Sequence, residues 1–93
     1  AKHAVVGLTK AAAIEYAAQG LRINAIAPGL VATPMTQRWL DDDNFRDILL
    51  AGSPIGRAAQ PEEIAGSVLH LCSTDASFTN GQITIIDGGQ TAH

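Results

Sequence analysis

Polar residues are sparse over the first nineteen positions. From Lys2 to Gln19 every residue other than Lys2, His3, Thr9, Lys10, Glu15 and Gln19 is Ala, Val, Leu, Ile, Gly or Tyr, and Ala11-Ala12-Ala13 with no proline predicts a helix over 2–19. On a helical wheel Lys2, His3, Thr9 and Lys10 share one side, while Glu15 and Gln19 lie opposite. A helix at the surface of a monomer shows one apolar stripe and a broad polar face. This one is apolar around most of its circumference, so it is expected to bury two faces, one on a sheet and one on another helix. Gly20 is the expected C-cap.

Leu21 to Ala27 is a short apolar run after a helix and reads as a buried strand, 21–27, of a parallel sheet. Pro28-Gly29 ends it and opens a loop over 28–34. Residues 35–53 are amphipathic and irregular, with Asp41-Asp42-Asp43 read as acids at a helix start, where the dipole favours them. Gln60-Pro61-Glu62-Glu63 opens a helix over 61–73, with proline in the first turn. Asn80-Gly81 is a turn signal, Gln82 to Ile86 a second strand (82–86), and Asp87-Gly88-Gly89 breaks it. The order helix, strand, short helices, helix, strand implies an α/β fold with a parallel sheet and right-handed crossovers. Two strands alone are marginal in water, so the unit is expected to be incomplete by itself.

Composition narrows the function. At 93 residues the chain is shorter than a usual domain of roughly 100–200. A net charge of −3 without clustered Lys and Arg argues against nucleic acid as a partner. No apolar run nears the ~20 residues of a membrane span, and no leader-like segment opens the chain. Cys72 is alone, so no internal disulfide forms; in Val68-Leu69-His70-Leu71-Cys72 it reads as a small buried hydrophobe. A cytoplasmic setting is the default expectation.

Most catalytic patterns are missing. His3, His70 and His93 show no metal-ligand spacing, there is no Cys-x-x-Cys, and no metal site is expected. No Gly-x-Ser-x-Gly occurs, and none of the nine glycines falls in G-x-G-x-x-G. Open parallel sheets bind ligands beyond the carboxyl ends of their strands. Pro28-Gly29-Leu30-Val31-Ala32-Thr33-Pro34 holds that place. Its backbone and the Thr33 hydroxyl suit an amide or a phosphate, and equally a simple chain reversal.

A wider set of segments carries more weight. Ala1-Lys2-His3-Ala4-Val5-Val6-Gly7-Leu8-Thr9-Lys10 precedes Leu21-Arg22-Ile23-Asn24-Ala25-Ile26-Ala27-Pro28-Gly29; Thr33, Gly56-Arg57, Pro61-Glu62-Glu63-Ile64-Ala65, Asn80-Gly81 and Asp87-Gly88-Gly89 follow. In this order the set, from Lys2 to Gly89, closely resembles the C-terminal part of the short-chain dehydrogenase/reductase family of the classical type. The resemblance implies the C-terminal portion of a Rossmann-like doubly wound parallel sheet. It also implies an NAD(P)-dependent oxidoreductase, with NAD or NADP as cofactor of the full-length parent, moving hydride between nicotinamide and a carbonyl or secondary alcohol. Lys2 looks like the lysine of the family's Tyr-x-x-x-Lys pair, which holds the nicotinamide ribose and lowers the tyrosine pKa. Pro28, Gly29, Val31 and Thr33 match the nicotinamide loop, Val31 through its backbone and Thr33 through its hydroxyl. Residues 35–53 match the substrate loop, where Met35, Trp39, Leu40 and Phe45 suit an apolar pocket lining and equally suit packing on the sheet. Arg22 and Asn24 read as structural.

The paired tyrosine belongs four residues ahead of Lys2, outside these residues, and Tyr16 does not replace it because Gly20 stands four residues on. The glycine-rich phosphate turn and the catalytic serine and asparagine are likewise absent. The 93 residues alone are therefore expected to be inactive and to bind no cofactor tightly. The alternative is a non-catalytic, self-associating module. A homo-oligomer is expected in either case, through helix 2–19, the free edge of strand 21–27, and the C-terminal helix and strand.

Overall fold

The computed structural model describes residues 1–92, with Lys2 described in its backbone only. Its helices are α1 (Lys2–Tyr16), α2 (Pro34–Leu40), α3 (Asp43–Leu50) and α4 (Pro61–Leu71), and its strands β1 (Ala25–Pro28) and β2 (Ile83–Ile86). The strands form one two-stranded sheet. Ala25 N–H donates to Gln82 O and Gly29 N–H to Ile86 O, so the two strands advance together and the sheet is parallel. By its contacts the chain divides into two compact units, Ala1–Ala27 with Ser67–Thr84, and Pro28–Gly66 with Ile85–His93.

In the first unit α1 is followed by a 3-10 turn, Ala17–Gln19, closed by Gly20 in the left-handed region at φ 83°. Such a φ costs glycine nothing and any other residue a steric clash. Burial along α1 is narrow. Thr9 and Ala13, four residues apart and so on one face, are 7% and 2% exposed, whereas Val5, Leu8 and Ile14 are 55%, 71% and 81% exposed. The expected burial of two faces is thus not met within this chain. Thr9, placed by pattern on the polar side, lies on the buried strip instead. Its hydroxyl donates to Val5 O at 2.7 Å, which satisfies the polar group without solvent.

Strand β1 starts at Ala25, four residues later than the apolar run implies. The physical reason is where the backbone bonds of residues 21–24 go. Ile23 N–H donates to the Asn80 side-chain oxygen at 2.9 Å, and Ile23 O accepts from Gly81 N. The Asn24 amide accepts from Gln82 N at 3.0 Å and donates to Thr79 O at 3.0 Å. Two asparagine side chains therefore stand in for a ladder, and Asn80 also donates to Ala13 O in α1 at 3.1 Å. Arg22 donates to the carbonyls of Leu71 (2.8 Å), Ser73 and Thr79, beside the end of α4 where carbonyls lack helical partners. Helix α4 stops at Leu71, short of residue 73, and Ser73 turns its hydroxyl back to His70 O. Cys72 is exposed, contrary to the burial its apolar neighbours imply.

In the second unit the stretch 35–53 is not irregular: it resolves into α2 and α3, which pack on each other. Thr33 caps α2, and Pro34 opens it without losing a needed donor. Asp42 caps α3 by accepting from Asn44 N at 3.0 Å, and Asp43 sits in its first turn paired with Arg46 at 2.9 Å. Asp42 and Asp43 are thus absorbed by a helix start, as their charge favours, whereas Asp41 is the C-cap of α2. β2 begins at Ile83, one residue after the start of the apolar run. Among the described residues no helix is long and apolar enough to cross a membrane.

Candidate functional site

The segment after β1 is held on both edges. Gly29 extends the sheet through its bond to Ile86 O, and a Cβ at Gly29 would lie 3.0 Å from both Cα and Cβ of Asp87. Only glycine permits that approach. Beyond it the partner changes. Ala59 N–H donates to Leu30 O at 2.9 Å and Ala59 O accepts from Ala32 N at 2.8 Å, an isolated parallel bridge that brackets Val31.

Val31 and Thr33 then carry the available chemistry. Among the described residues the Val31 N–H has no acceptor, and Val31 O accepts from the Thr36 hydroxyl at 2.7 Å. Thr33 and Thr36 form a capping box: Thr33 Oγ1 accepts from Thr36 N, and Thr36 Oγ1 accepts from Thr33 N at 2.8 Å. The two hydroxyls lie 3.1 Å apart. With the Thr36 proton on Val31 O, the Thr33 proton points to Thr36 Oγ1, and Thr33 Oγ1 keeps one lone pair unused. The segment thus offers one donor, Val31 N–H, and one acceptor, Thr33 Oγ1. That is the complement of a primary amide, which presents one C=O and an NH₂. Pro28, at the end of β1, supplies no donor of its own.

The remaining predicted residues are placed differently. The side chain of Lys2 lies outside the described residues; its backbone opens α1. Met35, Trp39 and Phe45 are 73%, 46% and 52% exposed, and Leu40 is half-buried. None of the four lines the cavity of about 140 Å³ in this unit, whose apolar wall is Leu30, Leu49, Ile55 and Ile86. The expectation that they pack on the sheet is therefore not met for the three exposed side chains. Among the described residues no cluster of His, Cys, Asp or Glu suits a metal ion.

Sequence reading missed Ala59, which a backbone-only role makes invisible. It also gave Arg57 no role of its own, and read Glu63 only as an acid in the first turn of a helix. The Arg57 guanidinium grips the Glu63 carboxylate with two bonds, 2.7 and 2.9 Å. Those bonds, with a third from Gln60 N, hold the Glu63 carboxyl down at about 2. The Asp87 carboxyl is lowered chiefly by the Thr91 hydroxyl at 2.6 Å, with Gly89 and Thr91 N–H groups helping. The spacing Thr33-x-x-Thr36, with Pro34 at the first helical position, was a legible capping signal.

The geometry has clear relatives. The family model described as enoyl-(acyl carrier protein) reductase matches residues 1–91. The chain is 48% identical over 93 residues to 2,5-dichloro-2,5-cyclohexadiene-1,4-diol dehydrogenase of Sphingobium indicum, covering 99% of this chain and 37% of that protein. It is 44% identical over 92 residues to a tropinone reductase homolog of Arabidopsis thaliana, covering 99% and 35%. The structure superposes on a candidate 2-deoxy-D-gluconate 3-dehydrogenase of Agrobacterium tumefaciens with bound NADP, with a TM-score of 0.92 and 41% identity, over 99% of this chain and 37% of that one. It also superposes on 4-hydroxyisoleucine dehydrogenase complexed with NADH, with a TM-score of 0.94 and 33% identity, covering 99% and 38%. The chain belongs to the short-chain dehydrogenase/reductase family, and its α/β fold is a portion of that family's Rossmann-like sheet. It spans little more than a third of the length of these relatives.

Proposed function

We propose that this chain supplies the nicotinamide-facing part of an NAD(P)-dependent oxidoreductase acting on a carbonyl or secondary alcohol. The observation that carries the reading is the donor–acceptor pair of Val31 N–H and Thr33 Oγ1 beyond the carboxyl end of β1. It matches the nicotinamide carboxamide, and solved relatives are described with bound NADP and NADH. Nicotinamide, when bound, gives or takes the hydride. The chain's own residues orient it: Val31 N–H donates to the amide carbonyl, and Thr33 Oγ1 accepts from the amide nitrogen. The family resemblance gives Lys2 two tasks, binding the ribose hydroxyls and stabilising a neighbouring phenolate by its charge. The lone Cys72, without an internal disulfide, accords with a cytoplasmic setting.

The test uses two cofactors with the protein as its cell makes it. Thr33→Val removes the acceptor. It should raise KM for NADH about tenfold and leave unchanged the KM for the 3-acetylpyridine analogue, which has no amide N–H. An equal effect on both would overturn the reading. The 93 residues alone hold no tyrosine four positions ahead of Lys2. They should give no turnover with NADH or NADPH and mixed ketones, and turnover above background would overturn the proposed division of roles.

A second reading is favoured by the bare face of α1, where Leu8 and Ile14 are 71% and 81% exposed. Apolar area of this kind on a helix calls for a cover, and a homo-oligomer supplies one. In this reading the chain is a non-catalytic, self-associating module that pairs through α1, the free edge of β1, and α4 with β2. Sedimentation of a compact monomer at micromolar concentration would exclude it.

A further inference from the structure

The bridge at Ala59 raises the question of what holds Ala59. A peptide unit is rigid and planar, with its N–H and C=O directed to opposite sides, so fixing one end of the plane fixes the other. Two such planes flank Ala59. In the Ala58–Ala59 plane, Ala59 N–H donates to Leu30 O at 2.9 Å, and at the opposite end Ala58 O accepts from Arg57 Nη1 at 3.1 Å. In the Ala59–Gln60 plane, Ala59 O accepts from Ala32 N at 2.8 Å, and at the opposite end Gln60 N–H donates to Glu63 Oε1 at 2.9 Å. Arg57 and Glu63 are themselves joined by the bidentate pair at 2.7 and 2.9 Å. One ion pair thus grips the outer ends of both planes whose inner ends bracket Val31.

We infer that Arg57 and Glu63 are positioning residues for the nicotinamide loop, setting the register of Val31 through the two peptide planes of Ala59. The inference rests on the reading of residues 28–34 given above. An exposed ion pair ordinarily contributes little. This one differs because both charged groups also bond to backbone, and because bidentate geometry fixes direction as well as distance. Its effect is therefore expected on loop geometry more than on overall stability. Lysine at 57 keeps the charge and loses the fork, so it does not substitute.

The experiment compares Arg57→Met and Arg57→Lys with the unmodified protein, as its cell makes it, in two measurements. Amide hydrogen exchange reads the device without cofactor. Ala32 and Ala59 should exchange about tenfold faster in both variants, while Gly29, bonded to Ile86 O, should be unchanged. Steady-state kinetics read its consequence. KM for the dinucleotide should rise about tenfold, KM for the carbonyl substrate should change less than about twofold, and the melting temperature should stay within a few degrees. Unchanged exchange at Ala32 and Ala59 overturns this inference alone. Faster exchange with an unchanged dinucleotide KM overturns the role of the loop, and this inference with it. A parallel rise in both KM values with a large fall in melting temperature also overturns it, since that marks general loosening.

Discussion

In the first unit the pairing between 21–24 and 80–82 runs partly through side chains: Ile23 N donates to the Asn80 amide and Gln82 N to the Asn24 amide, while Ile23 O accepts from Gly81 N. In the second unit the segment 30–32 passes its backbone bonds to the backbone of a single alanine, Ala59. The difference has consequences. A segment held by side-chain amides depends on the identity of those residues and is spent on structure. A segment held by backbone needs nothing from the holder's side chain, so it can be shifted only through groups that steer the holder's peptide planes. Among the described residues it also leaves Val31 N–H without an acceptor and Thr33 Oγ1 with one unused lone pair.

The largest effect should come from breaking the first arrangement. Asn80→Ala removes the partner of Ile23 N and of Ala13 O, both on part-buried bonds. A loss of about 3 kcal/mol in denaturant unfolding is expected, because stranded polar groups carry their full desolvation cost. Ala59→Ser, the matched change in the second unit, should cost less than about 0.5 kcal/mol. Comparable losses for the two would remove the distinction. Next in size is Gly88→Ala. Gly88 has φ +64°, and its new Cβ would lie 2.5 Å from Ile55 Cγ2. About 2 kcal/mol is expected from backbone strain and crowding together, and an unchanged midpoint would show that the turn relaxes freely.

The smallest effect concerns pH. The Glu63 carboxyl sits at about 2, below its ordinary 4.5. A depressed carboxylate stabilises the folded state fully above its unfolded value, and that contribution fades as pH falls through the folded value. The stability of the unmodified protein should therefore fall between about pH 4.5 and 2 more than that of Glu63→Gln, so the two stability curves converge on acidification. Asp87, also lowered, leaves some acid sensitivity in both. Parallel curves would show that the ion pair contributes nothing to folding.

Much of the architecture was legible from residue pattern. The run of alanines and aliphatics marked α1, which stops at Tyr16 before a 3-10 turn capped by Gly20; Pro61-Glu62-Glu63 marked the start of α4, and Asp87-Gly88-Gly89 the break after β2. These signals are local, because capping, proline placement and left-handed glycines act within one turn of the residue that causes them. What lay beyond them involved partners far along the chain. Residues 21–24 look like strand because Leu21 and Ile23 are apolar, yet their backbone is claimed by Asn80 and Gly81, 57 or more residues away.

The site divides along the same line. Thr33 and Pro34 answer local capping demands, whereas the close approach that calls for glycine at 29 is to Asp87, far along the chain. That Val31 N–H meets no acceptor among the described residues was decided only when the chain folded. Which residue brackets it, and that Arg57 and Glu63 grip that residue's peptide planes, depended on folding too. Backbone groups are the same at every position, so a sequence carries no mark of which will be paired. Only tertiary placement assigns the partners.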